Sequence, residues 1–427
     1  MHVLFVHQNR PAQFGHVARR LVRDHGFRCT FLSQRPSGVD QGVEMIQYHL
    51  KGGATNHNHY CTRSFENAVG HAHAVYEACK AAADLRPDLI VGHSGFGSTL
   101  FLRELWDAPI VNYFEYYYRP HGSDLDFRPD APPAELDVLR SHCRNAMILL
   151  DLQNCAAGYS PTRWQRSLFP AEYQGKIRAI FDGVDLDLWR RRDGLPRAIN
   201  GRAVPPGTRI VTYVSRGFES MRGFDVFMKV ARRVYLERPD VLFVVVGSDR
   251  VAYGGDMRRI QAKTFRQHVL EQDDYDMSKF VFTGTMPSDD LARTLSMGDA
   301  HVYLTVPFVL SWSLFNAMAC GAVVVGSDTG PVRELVRHEE TGLLADFFDV
   351  DGLARQVLRV LDDPAGHRRL GEAARRRIEE EYSLDRILPQ LLDLYDATLG
   401  RAEAGQRPMR ADDPAVLPSP RAASVSP

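Results

Sequence analysis

The chain has 427 residues, with 52 Lys and Arg against 53 Asp and Glu, for a formal charge of −1. That length suggests two or three domains, and the near-neutral balance excludes nucleic-acid binding through bulk charge. Hydrophobic residues at 44% and charged residues at 25% exclude collagen-like, wholly disordered and integral-membrane classes.

In chain order, short β-branched runs alternate with longer helical patterns. Val3–His7, Cys29–Ser33, Leu89–His93, Ile110–Phe114, Ala156–Ser160 and Ile177–Phe181 read as strands. Between them, Ala12–Asp24, Phe65–Ala83, Thr99–Trp106 and Glu135–Asp151 read as helices. A cluster of Pro, Gly and Asn from Arg190 to Thr208 interrupts the rhythm and marks a domain boundary. Beyond it, Ile210–Val214, Val241–Gly247, Phe280–Thr283, His301–Thr305 and Val323–Gly326 read as strands. Phe224–Leu236, Asp289–Met297, Trp312–Ala319 and Val332–Arg337 read as helices. The expected fold is α/β: two Rossmann-like, doubly wound domains facing across a cleft, with ligands beyond the carboxyl ends of the strands. The expected bounds are 1–195 and 205–381, then a helix over 382–400 that crosses back to the first domain. Residues 402–427 are rich in Pro, Ala, Arg and Ser and are expected to be disordered.

Six cysteines occur without a CxxC pair, so a structural zinc site is not expected. The first apolar run, Val3–Val6, is too short for a leader, and no run approaches the ~18 apolar residues of a membrane span. The expected location is the cytoplasm, with at most peripheral contact at the inner face of the membrane.

The most informative stretch is His301 to Glu334: strand, Pro307, loop, helix, Gly321, strand, turn, helix. Ser311 or Ser313 can cap the helix from Trp312, and unpaired N–H groups at its start suit a diphosphate. This segment resembles the donor-binding signature of retaining family 4 glycosyltransferases of the two-Rossmann-domain (GT-B) fold. Ala317-Met318-Ala319-Cys320-Gly321 and Thr329-Gly330-Pro331 match, and Asp182-Gly183-Val184-Asp185 resembles the family's entry to the interdomain linker. The family's Glu-x7-Glu pair falls on Phe308 and Asn316, and its Gly-Phe-Gly reads Val309-Leu310-Ser311. The Phe-Val-Leu-Ser-Trp-Ser form resembles a bacterial subgroup lacking the first Glu.

The resemblance implies roles for particular residues. Arg216 and Arg222 would neutralise the leaving diphosphate without a metal, and Asn316 would meet the ribose. Phe282 and Gly284, around Thr283, would hold the nucleobase through backbone groups. His93 would touch the donor sugar, with His7 and His16 as rivals for a general-base role. Gly15, beside His16 on the acceptor side, would let substrate approach the backbone. Tyr116-Tyr117-Tyr118 reads either as an acceptor platform or as a structural aromatic cluster. Asp124/Asp126 and Asp185/Asp187 form Asp-x-Asp pairs, but no metal is expected, nor any cofactor beyond a nucleotide-diphosphate sugar as co-substrate. The implied activity is retaining, metal-independent hexosyl transfer to a saccharide or lipid-linked acceptor, in bacterial polysaccharide or glycoconjugate synthesis. The alternatives are an inverting transferase with a His base and a relative that binds nucleotide sugar without transfer.

Overall fold

The computed structural model describes residues 1–95 and 99–403, with side chains to residue 400. The first domain holds strands β1 (His2–Val6), β2 (Arg28–Ser33), β3 (Gly38–Asp40), β4 (Val43–Gln47), β5 (Leu89–His93), β6 (Ile110–Tyr113), β7 (Ala157–Ser160) and β8 (Ile177–Ala179). They form one sheet in the order β3-β4-β2-β1-β5-β6-β7-β8, parallel except for the edge strand β3. Helices α1 (Gly15–His25), α2 (Arg63–Ala81), α3 (Glu135–Arg144), α4 (Ala146–Asn154), α5 (Arg163–Ser167) and α6 (Ala171–Gln174) accompany it. Alternate residues of β1 enter different cores: Val3 and Phe5 one, Leu4 and Val6 the other. This sidedness makes a parallel strand read as a continuous apolar run.

After a two-stranded hairpin, β9 (Ala198–Ile199) and β10 (Arg202–Ala203), comes the second sheet. Its strands are β11 (Arg209–Gly217), β12 (Val241–Ser248), β13 (Phe280–Gly284), β14 (Ala300–Tyr303), β15 (Val324–Ser327) and β16 (Leu343–Ala345), all parallel, in the order β13-β12-β11-β14-β15-β16. Its helices are α7 (Phe224–Glu237), α8 (Phe265–Leu270), α9 (Ser288–Met297), α10 (Trp312–Ala319), α11 (Gly330–Leu335), α12 (Val350–Asp362) and α13 (Pro364–Arg377). A π-helical turn, Ile378–Tyr382, leads into α14 (Leu384–Glu403). Leu388, Leu391, Leu394 and Tyr395 of α14 pack with Val3 and Phe5 of the first domain. The two Rossmann-like domains are therefore present, and α14 returns to the first.

Several local expectations are corrected. The helix expected over 99–106 is only a 3-10 turn, Leu102–Glu104. The helix expected over 135–151 is broken at Asn145, whose side chain accepts the Tyr118 N–H at 2.9 Å and donates to its carbonyl at 2.7 Å. The boundary segment is not wholly irregular, since it folds into the β9–β10 hairpin. Helix α14 enters the expected tail by two residues, and the rest of that tail lies outside the described residues.

Outgoing and returning chains meet between the domains. The Val184 N–H donates to the Tyr382 carbonyl and the Leu384 N–H to the Val184 carbonyl, both at 2.8 Å. Gly183 has φ 90, and a Cβ there would sit 3.1 Å from Leu384 Cα and 2.9 Å from its side chain. That accounts for the glycine in the Asp-Gly-Val-Asp motif. Away from this crossing, Arg128 forms a bidentate pair with Asp225 of the second domain at 3.0 and 2.6 Å. Glu334 of α11 accepts the Arg163 and Trp164 N–H groups at the start of α5.

Gly371 lies inside α13, where alanine is intrinsically better by about 1 kcal/mol. Here, however, a Cβ would stand 2.3 Å from the Gly321 carbonyl oxygen, in the turn that ends α10. Overpacking costs about 1–3 kcal/mol and outweighs the propensity. We expect Gly371→Ala to lose about 1–2 kcal/mol in urea denaturation, and a gain would show that α13 is free to shift.

Candidate active site

The second domain supplies the cationic rim. Arg216, at the end of β11, is exposed, with Nη1 3.4 Å from the Tyr253 hydroxyl. Arg222, in the following 3-10 turn, is buried. Its Nη1 donates to Thr305 Oγ1 and to the Val309 carbonyl, each at 2.9 Å, and lies 3.5 Å from the Tyr303 hydroxyl. The guanidinium faces the Tyr253 and Phe308 rings at 5.5 and 5.6 Å. One nitrogen thus fixes the loop before α10, while Nε and Nη2 make no hydrogen bond to another described residue. Ser311 caps α10, accepting the Ser313 N–H at 3.2 Å, and its own N–H donates to the Tyr303 hydroxyl at 2.9 Å. Val309 is buried and Leu310 half-buried, so they shape this turn through the backbone. Asn316 follows one turn on, 9% exposed, its side chain without a hydrogen bond to another described residue.

At the end of β13, where the sequence leads us to expect the nucleobase, the Phe282 ring packs with Phe218 and Phe280, and the Arg266 guanidinium lies 4.7 Å from its centroid. Gly284, at φ 70, is exposed. Glu219, between the two arginines, is fully buried and accepts the Ala252 and Tyr253 N–H groups. It fastens the loop that carries Tyr253, and burial pushes its carboxyl up to about 7.

The first domain faces this rim with buried histidines. His93 closes β5, its Nδ1 2.8 Å from the Ser94 carbonyl and its Nε2 3.7 Å from the Glu115 carboxylate. The first distance requires Nδ1 to carry a proton, so in the neutral ring Nε2 is the acceptor. The His7 ring stands edge-on to His93 at 5.0 Å. Burial lowers the His93 pKa against the opposing pull of Glu115. Burial and then His93 lower that of His7 well below the usual value. Asp151 in α4 accepts from the Ser94 hydroxyl at 2.9 Å and the Gly95 N–H at 3.1 Å, shaping the turn after β5. A cavity of about 450 Å³ opens beside His93 and Glu115.

Residues 25–189 match the profile described as "Glycosyl transferase family 4 group", and residues 197–377 match "Glycosyl transferases group 1". Each domain thus matches a glycosyltransferase profile, and only the second matches that of group 1. The N-acetyl-alpha-D-glucosaminyl L-malate synthase of Bacillus anthracis is 33% identical over 219 residues, 51% of this chain and 53% of that protein. A GDP-mannose-dependent phosphatidylinositol monomannoside mannosyltransferase of Corynebacterium glutamicum is 30% identical over 41% of this chain and 44% of its own. The chain spans about half the length of the curated relatives it matches. Sucrose-phosphate synthase of Thermosynechococcus elongatus superposes with a TM-score of 0.73 at 21% identity, covering 94% of this chain and 99% of that one. HepE of Anabaena, solved in complex with UDP and glucose, superposes with a TM-score of 0.66 at 16% identity, covering 93% and 100%. The fold is GT-B.

In this structure two acceptor-side expectations give way. A Cβ on Gly15 would stand 2.4 Å from Pro11 Cβ, so the glycine admits a neighbouring proline ring rather than substrate. His16 Nε2 lies 2.6 Å from the Asp182 carbonyl, so its N–H is spent on the linker and not on a reacting group. The tyrosines divide: Tyr117 packs on Phe169, while Tyr116 and Tyr118 line the cavity and Tyr116 also meets Phe308 of the second domain at 4.8 Å. Asp126 is taken up by the Gly122 and Ser123 N–H groups, and Asp124 accepts from Tyr116. Among the described residues no group of three His, Cys, Asp or Glu side chains is arranged to hold a metal. Nor, among them, is any helix long and apolar enough to cross a membrane. Sequence reasoning missed the roles of Glu219, Glu115 and Asp151. Only Glu219 left a signal, lying between the two arginines it helps to frame.

Asp182 ties the linker to α10, since the Trp312 Nε1–H donates to its Oδ2 at 2.6 Å. Burial, with Glu115 adding to it, pushes this carboxyl up to about 7 against the bonds from Trp312 and Tyr113. A raised folded pKa means that between about pH 4 and 7 the folded chain keeps a proton the unfolded chain has released. This stabilisation is complete below pH 4 and is lost as pH rises through 7. Asn is neutral throughout and still accepts from Trp312. We expect the midpoint of Asp182→Asn to gain on that of the native chain as thermal melts move from pH 5 to 8. A difference that is constant with pH would show that Asp182 is ionised throughout.

Proposed function

We propose that this protein is a retaining, metal-independent glycosyltransferase that moves a hexosyl group from a nucleotide-diphosphate sugar to a hydroxyl acceptor. The observation that carries the reading is the pair Arg216 and Arg222, both within reach of Tyr253, beside the capped start of α10. As the anomeric C–O bond breaks, its electron pair leaves with the β-phosphate oxygen. The two guanidinium groups and the N–H groups at the start of α10 stabilise that growing charge. The acceptor hydroxyl attacks from the same face, and its proton passes to the leaving phosphate oxygen. Asn316 offers the ribose one accepting oxygen and one donating nitrogen in place of a carboxylate. The relatives named for malate and phosphatidylinositol mannoside acceptors support a context of glycoconjugate synthesis.

A second reading, inversion with a histidine base, draws support from His93, whose Nε2 is an acceptor close to Glu115. Proton NMR of the product anomer separates the two, and retention is the expected result. A nucleotide-sugar-binding relative without transfer would give no donor turnover with pooled acceptors.

Metal independence has its own measurement. Turnover survives excess EDTA if the arginines carry the charge, whereas loss restored by magnesium or manganese would overturn this scheme. Arg216 is exposed, so Arg216→Ala should leave the melting midpoint in place. Turnover should fall by about 10²–10³, as removal of one oriented donor does. A change within about threefold would return Arg216 to the solvated surface.

A further inference from the structure

The cavity beside His93 holds a feature that the transfer chemistry does not use. Arg144, the last residue of α3, lies with its guanidinium 3.4 Å from the centroid of the Tyr118 ring. Both residues line the cavity, and Arg144 is the one Lys or Arg among the described residues of its wall. The stack is built rather than accidental. Asn145, the next residue, grips the Tyr118 backbone at both its N–H and its carbonyl, which sets the break between α3 and α4 alongside that ring. Stacking occupies the face of a guanidinium and leaves its edge of N–H donors open. Arg144 makes no hydrogen bond or ion pair with another described residue. Its neighbours differ: Arg140 donates to Tyr60 and Ser64, and Arg119 to the Ser167 and Leu168 carbonyls. Glu115 lines the same cavity but does not pair with Arg144. Gln8, Asn67 and His93 add polar groups to a volume suited to a small polar ligand.

We propose that this cavity takes an acceptor of monosaccharide size bearing an oxyanion, and that Arg144 is the residue that selects it. The proposal rests on the glycosyltransferase reading above. A planar fork of donors in a partly enclosed site matches a carboxylate or a phosphate, and charge-assisted bonds to either are stronger than bonds to a neutral hydroxyl.

The test titrates the full chain, by calorimetry, with a hexose 6-phosphate, a hexuronate and the neutral hexose. It is repeated with Arg144→Ala and Arg144→Lys, and each protein is also titrated with a nucleoside diphosphate. The native chain should bind at least one anionic hexose tenfold or more tightly than the neutral one, and which anion wins identifies its source. Arg144→Ala should abolish that preference and Arg144→Lys should keep part of it, with nucleotide affinity unchanged in both. No anionic preference in the native chain, or one that survives Arg144→Ala, overturns the proposal. A preference that depends on Arg144 in a chain that binds no nucleoside diphosphate would leave the anion site standing and bring down the transfer reading.

Discussion

Helix α10 is held from the linker, and the second domain's side of the cleft depends on that attachment. Asp182 takes the indole N–H of Trp312 at the first turn, and Phe181 stacks on Phe315 at 3.8 Å. From the opposite flank Arg222 takes the Val309 carbonyl, and Tyr303 takes the Ser311 N–H. The N–H groups that suit an anion are thus fixed between two domains rather than carried by one. His16 extends the same attachment into the first domain by bonding to the Asp182 carbonyl. A residue read as a candidate base is, in the folded chain, part of the scaffold that aims the helix.

The departures from the family pattern acquire physical content in this setting. Phe308 stands where the resemblance implies an acid, and its ring is packed between Tyr116 of one domain and Tyr253 of the other. The result is an apolar wall beside Arg222 that joins the two halves of the cleft. Carboxylates occur elsewhere as buried groups: Glu219 fastens the Tyr253 loop and Asp151 the Ser94–Gly95 turn through backbone N–H groups, while Asp182 at the linker holds the Trp312 side chain. Each is pushed up to about 7 by burial. Holding a turn with a carboxyl costs little when the group can remain protonated.

Much of the architecture was legible because its signals are local. Helix α10 has the span expected for it, since Ser311 caps it and Gly321, at φ 70, stops it. Strand β5 likewise has its expected bounds, as a continuous apolar run before a turn. What was not legible depends on partners distant in sequence. The break at Asn145 follows from a grip on Tyr118, 27 residues earlier. The short edge strand β3 pairs with β4, and β4 with β2, and three to five residues give too little periodicity to read. The roles of His16 and Gly15 turned on Asp182 and Pro11, contacts that composition and spacing do not reveal.

The crossing at Gly183–Val184 and Ser383–Leu384 has a mechanical consequence. Two passes of chain hydrogen-bonded side by side make a double tether, so the outgoing and returning segments cannot shift independently of each other. A side chain at Gly183 would press on Leu384 and so would be felt at the start of α14 as well as in the linker.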